Sequence, residues 1–246
     1  MSLTIKLALS PLLVAQALLT RRRRPRLPEP VGQRHGVAGA AGAQPLRLLI
    51  AGDSSAVGVG VLTQREALAE QLATRLAEAC AAKVHWRLVA RSGLTTAQTL
   101  HLLQRDEPPT ADVAVVVTGV NDVVDQVPSH RALWARGALA NWLRNAHGVQ
   151  HVVFAPLPPI HHFPGLPQPL RWVAGADAKR HNVALDRWAR TRGDVSCVDM
   201  AIPLNRGVMA ADGLHPGEPV YRYCAGAIAQ HIATHVWPEI HLESSP

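Results

Sequence analysis

The pattern of apolar and polar positions changes period several times along this chain, and each change marks an element. Leu46 to Ala51, apolar but for Arg47 and ending at Gly52, has the pattern of a strand buried on both faces. Thr63 to Ala82 carries apolar residues at helical spacing, and Thr63 with Glu66 three residues on reads as a capping box. Val84 to Ala90 returns to a strand pattern, Thr96 to Gln104 reads as a short helix, and Val113 to Thr118 is a second fully apolar strand. A helix capped by Ser129 runs to Ala146, and His151 to Ala155 is a strand stopped by Pro156. Trp172 to Arg190 is helical, Val195 to Val198 is a short last strand, and Pro219 to Trp237 is a closing helix. Strand and helix alternate throughout. That order implies an α/β fold, a three-layer α/β/α sandwich around a parallel sheet of about five strands.

Other stretches lack this alternation. Leu3 to Leu19 is rich in Leu, Ala and Val but is interrupted by Lys6, Ser10, Pro11 and Gln16, and Thr20 leads into Arg21 to Arg24. The clean apolar stretch is shorter than the ~20 residues of a spanning helix. No small-residue cleavage site separates it from the arginines. Two readings of residues 1–26 stand side by side. In one, the segment meets an anionic membrane surface from the cytoplasmic side. Leu7, Leu12, Leu13, Val14, Leu18 and Leu19 then enter the interface, and the arginine run is drawn to acidic lipid. In the other, it is an ordinary helix packed on the domain. Every candidate for chemistry lies after Gly52, so the segment is expected to be dispensable for catalysis. Residues 27–45, rich in Pro, Gly and Ala, read as a linker. Residues 46–238 form the expected catalytic domain and 239–246 a tail. Pro156 to Pro169 has no period and holds His161, His162 and Phe163. A long irregular connection at the end of the fourth strand reads as a functional loop, with those three residues as substrate-contact candidates.

Composition narrows the partners. Of 246 residues, 48% are apolar and 17% charged, enough for a sizeable core and against global disorder. The net charge of +7 sits partly in the arginine run, and no aromatic-interleaved basic stripe or zinc-finger spacing points to nucleic acid. Cys80, Cys197 and Cys224 are odd in number and widely spaced, which disfavours a disulfide framework or a zinc site and suggests thiols in a reducing compartment. His161 and His162 lack a third ligand at a metal-binding spacing, so no metal is expected. A cytoplasmic monomer is the simplest expectation.

Four short motifs carry the chemistry. Gly52-Asp53-Ser54-Ser55 follows the first apolar strand and can present a serine hydroxyl at the sheet edge. Gly58 and Gly60 raise a phosphate-loop alternative, but no Gly-Lys-Ser/Thr or third spaced Gly supports it. Asp212-Gly213-Leu214-His215-Pro216 places a histidine three residues after a carboxylate, which can fix its tautomer and leave the other ring nitrogen to take a serine proton. Gly119-Val120-Asn121-Asp122 ends the second apolar strand with an amide aimed at the cleft, and Ser92-Gly93 offers a backbone N–H there. Together they supply a nucleophile, a base, an orienter and oxyanion donors. Asp53 and Asp122 read as organisers of their loops rather than acids.

This set resembles the SGNH hydrolases, the GDSL-type esterases and lipases, and in particular their bacterial thioesterase and lysophospholipase-like branch. The resemblance runs from about Leu46 to Trp237, with the four blocks in the family's order. It implies a flavodoxin-like strand order, Ser54 as nucleophile, and Asp212 and His215 as its partners. It also implies an oxyanion hole of Ser54 N–H, Gly93 N–H and Asn121, a small ester as substrate, and no cofactor. Ser55 stands where many members have Leu, and no acidic residue follows Gly93. A carbohydrate O-deacetylase or an acyltransferase would use the same residues, and a catalytically idle binding module on this fold is the alternative from another class.

Overall fold

The structure, a computed structural model, describes residues 3–23, 25–202 and 204–242. Arg24 of the arginine run and residues 243–246 of the expected tail lie outside the described residues. The elements run α1 (Leu3–Arg23), β1 (His35–Ala38), β2 (Gln44–Gly52), α2 (Ser54–Val57), α3 (Leu68–Cys80), β3 (Ala82–Ala90), α4 (Thr96–Asp106), β4 (Val113–Val117) and α5 (Val120–Val124). They continue with α6 (Ser129–His147), β5 (His151–Phe154), α7 (Leu170–Ala189), β6 (Val195–Cys197), α8 (Glu218–His231) and α9 (Trp237–Leu242). One sheet holds the strands in the order β1-β3-β2-β4-β5-β6.

Strands β2 to β6 pair in parallel, and β1 joins β3 antiparallel at the edge. The alternation of side chains along β2 builds the three layers. Leu46, Leu48 and Ile50 face α2, α3 and α8, meeting Leu72, Leu76 and Ile228. Leu49 and Ala51 face the opposite layer, where Leu103 of α4, Leu139 and Leu143 of α6 and Leu185 of α7 pack. Each such leucine, fully withdrawn from water, contributes about 1.5–3 kcal/mol. This is the expected three-layer α/β/α sandwich with five parallel strands. The sixth strand, β1, comes from the segment read as a linker. There, Arg34 donates to Ala90 O at 2.9 Å, and Leu88 N donates back to Arg34 O at 2.7 Å. Pairing to an edge strand, rather than apolar periodicity, orders that stretch.

Helix caps differ from expectation at three places. The helix read from Thr63 begins at Leu68, because the Glu66 carboxylate accepts from the N–H groups of Leu62 and Thr63 and from the Thr63 hydroxyl, closing a turn ahead of the helix. The capping box forms instead at Thr95 and Gln98, at the start of α4. Pro128 occupies the cap position read for Ser129.

The N-terminal helix α1 lies against loops that leave the C-terminal ends of β4 and β5. Lys6 pairs with Asp177 of α7 and reaches Gln126, just beyond α5. Gln16 donates to Gln168 O at 2.7 Å and accepts from Leu170 N at 3.1 Å. Pro11 has no N–H for the Leu7 carbonyl one turn back, and the Ser10 hydroxyl fills that vacancy at 2.8 Å. No helix among the described residues is long and apolar enough to cross a membrane.

Candidate active site

Ser54 opens α2 directly after β2. The turn needs glycine at Gly52: its φ is 156°, and a Cβ there would sit 2.0 Å from Val117 O of the neighbouring strand. Asp53 caps α2 by accepting from Ser55 N at 2.9 Å. Behind the helix, Gln64 donates to Val57 O and the buried Tyr221 hydroxyl donates to Val59 O at 2.7 Å. These bonds hold the serine loop to α8 and to the turn before α3.

His215 comes from the loop before α8. Its Nε2 lies 3.2 Å from Ser54 Oγ, and its Nδ1 lies 2.6 Å from Asp212 Oδ2. The other Asp212 oxygen accepts from Leu214 N at 2.9 Å and His215 N at 3.0 Å. Burial alone would raise the Asp212 pKa, but the bonds from the His215 ring, from the His215 backbone and from Leu214 outweigh it and hold the carboxyl at about 2. Asp212 is therefore an anion across the working pH range, and an anion at Nδ1 leaves Nε2 facing the serine.

Asn121 joins the loop that carries Gly93 to the loop that carries Ser54. Asn121 Nδ2 reaches Leu94 O at 3.0 Å and Asp53 Oδ2 at 3.3 Å, so the amide ties together the loops after β2, β3 and β4. Gly93 is exposed, with φ at 85° and open space where a Cβ would lie. Asp53 itself is fully buried. Its desolvation outweighs the bonds from Ser55 and Asn121, with the like charge of Asp122 adding to it, and the carboxyl rises to about 7. Asp122 accepts from the backbone and hydroxyl of Thr96, pinning α4 to α5. Both aspartates organise loops, as their sequence context suggests.

Not every sequence candidate reaches the site. Phe163 is buried in a small cluster with Val123, Leu157, Ile160 and Ala178. His161 and His162 are exposed, their rings 4.2 Å apart, and the backbone of His161 packs on Gly175 of α7. The loop does meet the turn that carries His215, through Gly165 N to Gly213 O at 3.0 Å. Its cleft-facing residues are Pro164 to Pro167, beside those singled out in the sequence. No group of three or more His, Cys, Asp or Glu among the described residues is arranged to hold a metal.

Two residues escaped the sequence reading. Glu29 accepts from Ser92 Oγ at 2.9 Å and Ser92 N at 3.2 Å, and pairs with Arg34, so the segment after α1 grips the residue beside Gly93. Burial opposes the Glu29 charge, yet the bonds from Ser92 and Arg34 prevail and lower its pKa. Nothing local in the sequence marks it. Arg136 is the second. It is buried on α6, with its Nη2 3.9 Å from Asp122 and close enough to meet any Cβ placed on Gly119 at 2.6 Å. Its position on the apolar stripe of Ala132, Leu139 and Leu143 was the available signal.

A serine, a histidine and a carboxylate in hydrogen-bonded sequence, on a strand-turn-helix beside a glycine and an asparagine, are the parts of an acyl-transfer site. The GDSL-like lipase/acylhydrolase family model matches residues 50–223, which takes in all of these parts. The chain belongs to that family. It is an SGNH-type serine esterase, and its oxyanion and triad blocks fall within the match. No curated protein matches it in sequence. Solved structures share the fold. The lipase Lip_vut3 from a goat rumen metagenome superposes with a TM-score of 0.63 at 19% identity, covering 77% of this chain and 98% of its own. The psychrotrophic esterase EstA from Pseudoalteromonas sp. gives 0.55 at 18%, covering 78% and 98%. Est24, a carbohydrate acetylesterase from Sinorhizobium meliloti, gives 0.55 at 17%, covering 76% and 98%. In each case about a quarter of this esterase lies outside the shared fold.

Proposed function

We propose that this esterase cleaves carboxylic or thio-esters through an acyl-enzyme on Ser54. The observation that carries the reading is the continuous chain Ser54 Oγ, His215 and Asp212, with contacts of 3.2 and 2.6 Å. His215 Nε2 takes the hydroxyl proton as Ser54 Oγ bonds to the substrate carbonyl carbon. The carbonyl π pair moves to oxygen, and the resulting oxyanion accepts from Ser54 N–H, Gly93 N–H and Asn121 Nδ2. For Asn121 this means giving up the longer of its two bonds, the 3.3 Å contact to Asp53. The tetrahedral adduct collapses, the carbon–leaving-group bond breaks, and His215 returns its proton to the departing alcohol or thiol. Water then adds to the acyl-enzyme with His215 as base, and collapse releases the acid and restores Ser54.

His215 protonates the leaving group, so that group lies on the His215 side of the carbonyl. Beside the loop that carries His215, a cleft of about 510 Å³ opens between α1 and the segments around Pro164 and Asp212, lined among others by Leu19, Arg23, Pro164, Leu166, Asp212 and Leu214. Ser54 and His215 are not in its walls. The cleft borders the loop that holds the base, and only an extended substrate would reach it from Ser54. An amphiphilic alcohol with an acidic group near Arg23 fits it, as a lysophospholipid-like ester would supply.

The test is labelling by an organophosphonate followed by peptide mapping, with Ser54→Ala alongside. The adduct is expected on Ser54, and the alanine variant should be folded and inert toward p-nitrophenyl acetate. An adduct on Ser55 or Ser92 would overturn the assignment. A panel of short and long p-nitrophenyl esters, acyl-CoA, lysophospholipid and acetylated sugars fixes the substrate. Turnover confined to acetylated sugars would replace the amphiphile reading with O-deacetylation.

A further inference from the structure

Soluble helices dock through an apolar stripe and expose polar residues, and a helix that is apolar all round is covered all round. Helix α1 is apolar on both sides but covered on one. Its half-buried positions are Lys6, Leu9, Leu13, Gln16 and Thr20, spaced three and four apart as a docked face must be. Leu9 and Leu13 sit between two polar anchors, Lys6 and Gln16, whose partners are Asp177, Gln126 and the Gln168–Leu170 backbone. Leu13, which the sequence groups with the interfacial leucines, therefore faces the domain. The other large apolar side chains from Leu7 to Leu18 point outward, while Leu19 borders the cleft beside the domain. Leu7, Val14 and Leu18 are 63%, 58% and 54% exposed, and Leu12 and Leu19 are also exposed.

The exposed apolar surface continues onto the edge that carries the site. Val124, 68% exposed, ends the helix that bears Asn121, two residues before the Gln126 that meets Lys6. Trp172, 47% exposed, lies in the first turn of α7 beside the Gln168–Leu170 contact with Gln16. At the other end of α1 stand the exposed Arg21, Arg22 and Arg23. A large apolar surface bordered by several cations has one fitting occupant, the headgroup and upper acyl region of an anionic bilayer.

We infer that the outward face of α1, with Val124 and Trp172, seats the esterase on an anionic lipid surface and turns the mouth of the Ser54 site toward it. The helix lies flat on the bilayer rather than crossing it. The docking surface stands on this geometry alone; its consequence, that ester substrates are drawn from the lipid surface, rests on the ester-hydrolase reading above. Charge and apolar contact act together here, and either one alone would give only marginal binding. Because the helix is docked on the site edge and not tethered by a loose linker, binding also fixes how the site faces the lipid.

The test is co-sedimentation of the full chain with vesicles of phosphatidylglycerol and phosphatidylcholine, and with phosphatidylcholine alone. Turnover of p-nitrophenyl acetate is read on every sample. Binding is expected on the anionic vesicles and should weaken as salt is raised. The variant Leu7→Ser/Val14→Ser/Leu18→Ser should bind at least roughly tenfold less while keeping its turnover. Arg21→Glu/Arg22→Glu should lose binding by about fivefold per charge or more. Absence of binding by the unaltered chain, equal binding by the triple variant, or loss of turnover in that variant would each overturn the inference. So would a dimer in sedimentation velocity that the triple variant dissociates, since the occupant would then be a second copy. Turnover without vesicle binding removes only the lipid surface; vesicle binding without turnover supports the surface and removes the hydrolase reading.

Discussion

The two ends of the catalytic edge are built on opposite plans. The loop carrying Asp212 and His215 is closed by contacts two and three residues apart, with one carboxylate accepting three bonds from its own neighbours. The segment from α1 to β1 reaches the same edge through bonds that span the chain: Lys6 to Asp177, Gln16 to Leu170, Glu29 to Ser92. The first plan makes the Asp212–His215 pair from local sequence, and the fold then brings Ser54 to it. The second holds the oxyanion loop and one wall of the cleft by distant polar contacts. Chemistry should therefore be lost outright in the first region and graded in the second.

The largest effect separates the two plans directly. Asp212→Asn should lower kcat by about 10⁴-fold, as expected when the carboxylate that sets the histidine tautomer is lost. Asp122→Asn, which only loosens the α4–α5 junction, should cost far less. Steady-state kinetics on one soluble ester compares them, and the reverse order would break the triad as described. Next in size is Asn121→Ala. A missing oxyanion donor should reduce kcat by roughly 10²–10³-fold with little change in KM. A change confined to KM would show that Asn121 binds the ground state instead.

The N-terminal segment should give a smaller but measurable loss. Glu29→Gln keeps the shape but weakens two bonds to Ser92, so the Gly93 N–H is less firmly held. A fall in kcat of about tenfold with unchanged KM is expected, below the ~100-fold that a misplacement of 1 Å can cost. A chain begun at Pro45 should fall at least as far, because it also strips β1 from the edge of β3. Unchanged kcat in both would return the segment to the dispensable role that the motif positions alone suggest.

What the sequence made legible follows the same division. Ser54, Asn121, Asp212 and His215 could be picked out as candidates because each stands within a few residues of an apolar strand or a helix start, where local pattern fixes direction. The five parallel strands were legible for the same reason: Val113 to Val117 and Leu48 to Ala51 are apolar on both faces. The four residues of β1 carry no such pattern, and only the exposed edge of β3 makes them a strand. Glu29 and Ser92 lie 63 positions apart, with no shared motif to join them. Phe163 looked like a substrate contact because its loop has no period. It is buried because that loop carries a small core of its own. For α1 the sequence left the membrane and packed readings both open. Lys6 and Gln16, two of the polar residues that interrupt its apolar run, anchor the docked face, so features that spoil a spanning helix are among those that fasten it.

The smallest expected effect concerns stability rather than turnover, and it tests whether the loop junction beneath the oxyanion site is an electrostatic compromise. Asp53 is buried between Ser55 and Asn121, and its folded pKa is about 7 against an ordinary 3.8. The folded protein thus keeps a proton that the unfolded chain releases. Between those two values the unfolded state binds fewer protons, so stability contributed by neutral Asp53 is full below pH 3.8 and is lost as pH rises through 7. Asp53→Asn cannot ionise and should escape this loss. Its Tm relative to the unaltered esterase should therefore climb between acid and neutral pH and then level off. The gap should grow by roughly 5 °C or more, taking about 1.4 kcal/mol per pKa unit and a few degrees per kcal/mol for a chain of this size. Thermal melts in matched buffers across that range provide the measurement. A gap that stays constant with pH would mean that Asp53 is ionised throughout and that Asn121 and Ser55 fully compensate its burial. In that case the Asn121 amide would be bound to a permanent anion, and its transfer to the oxyanion would be correspondingly more costly.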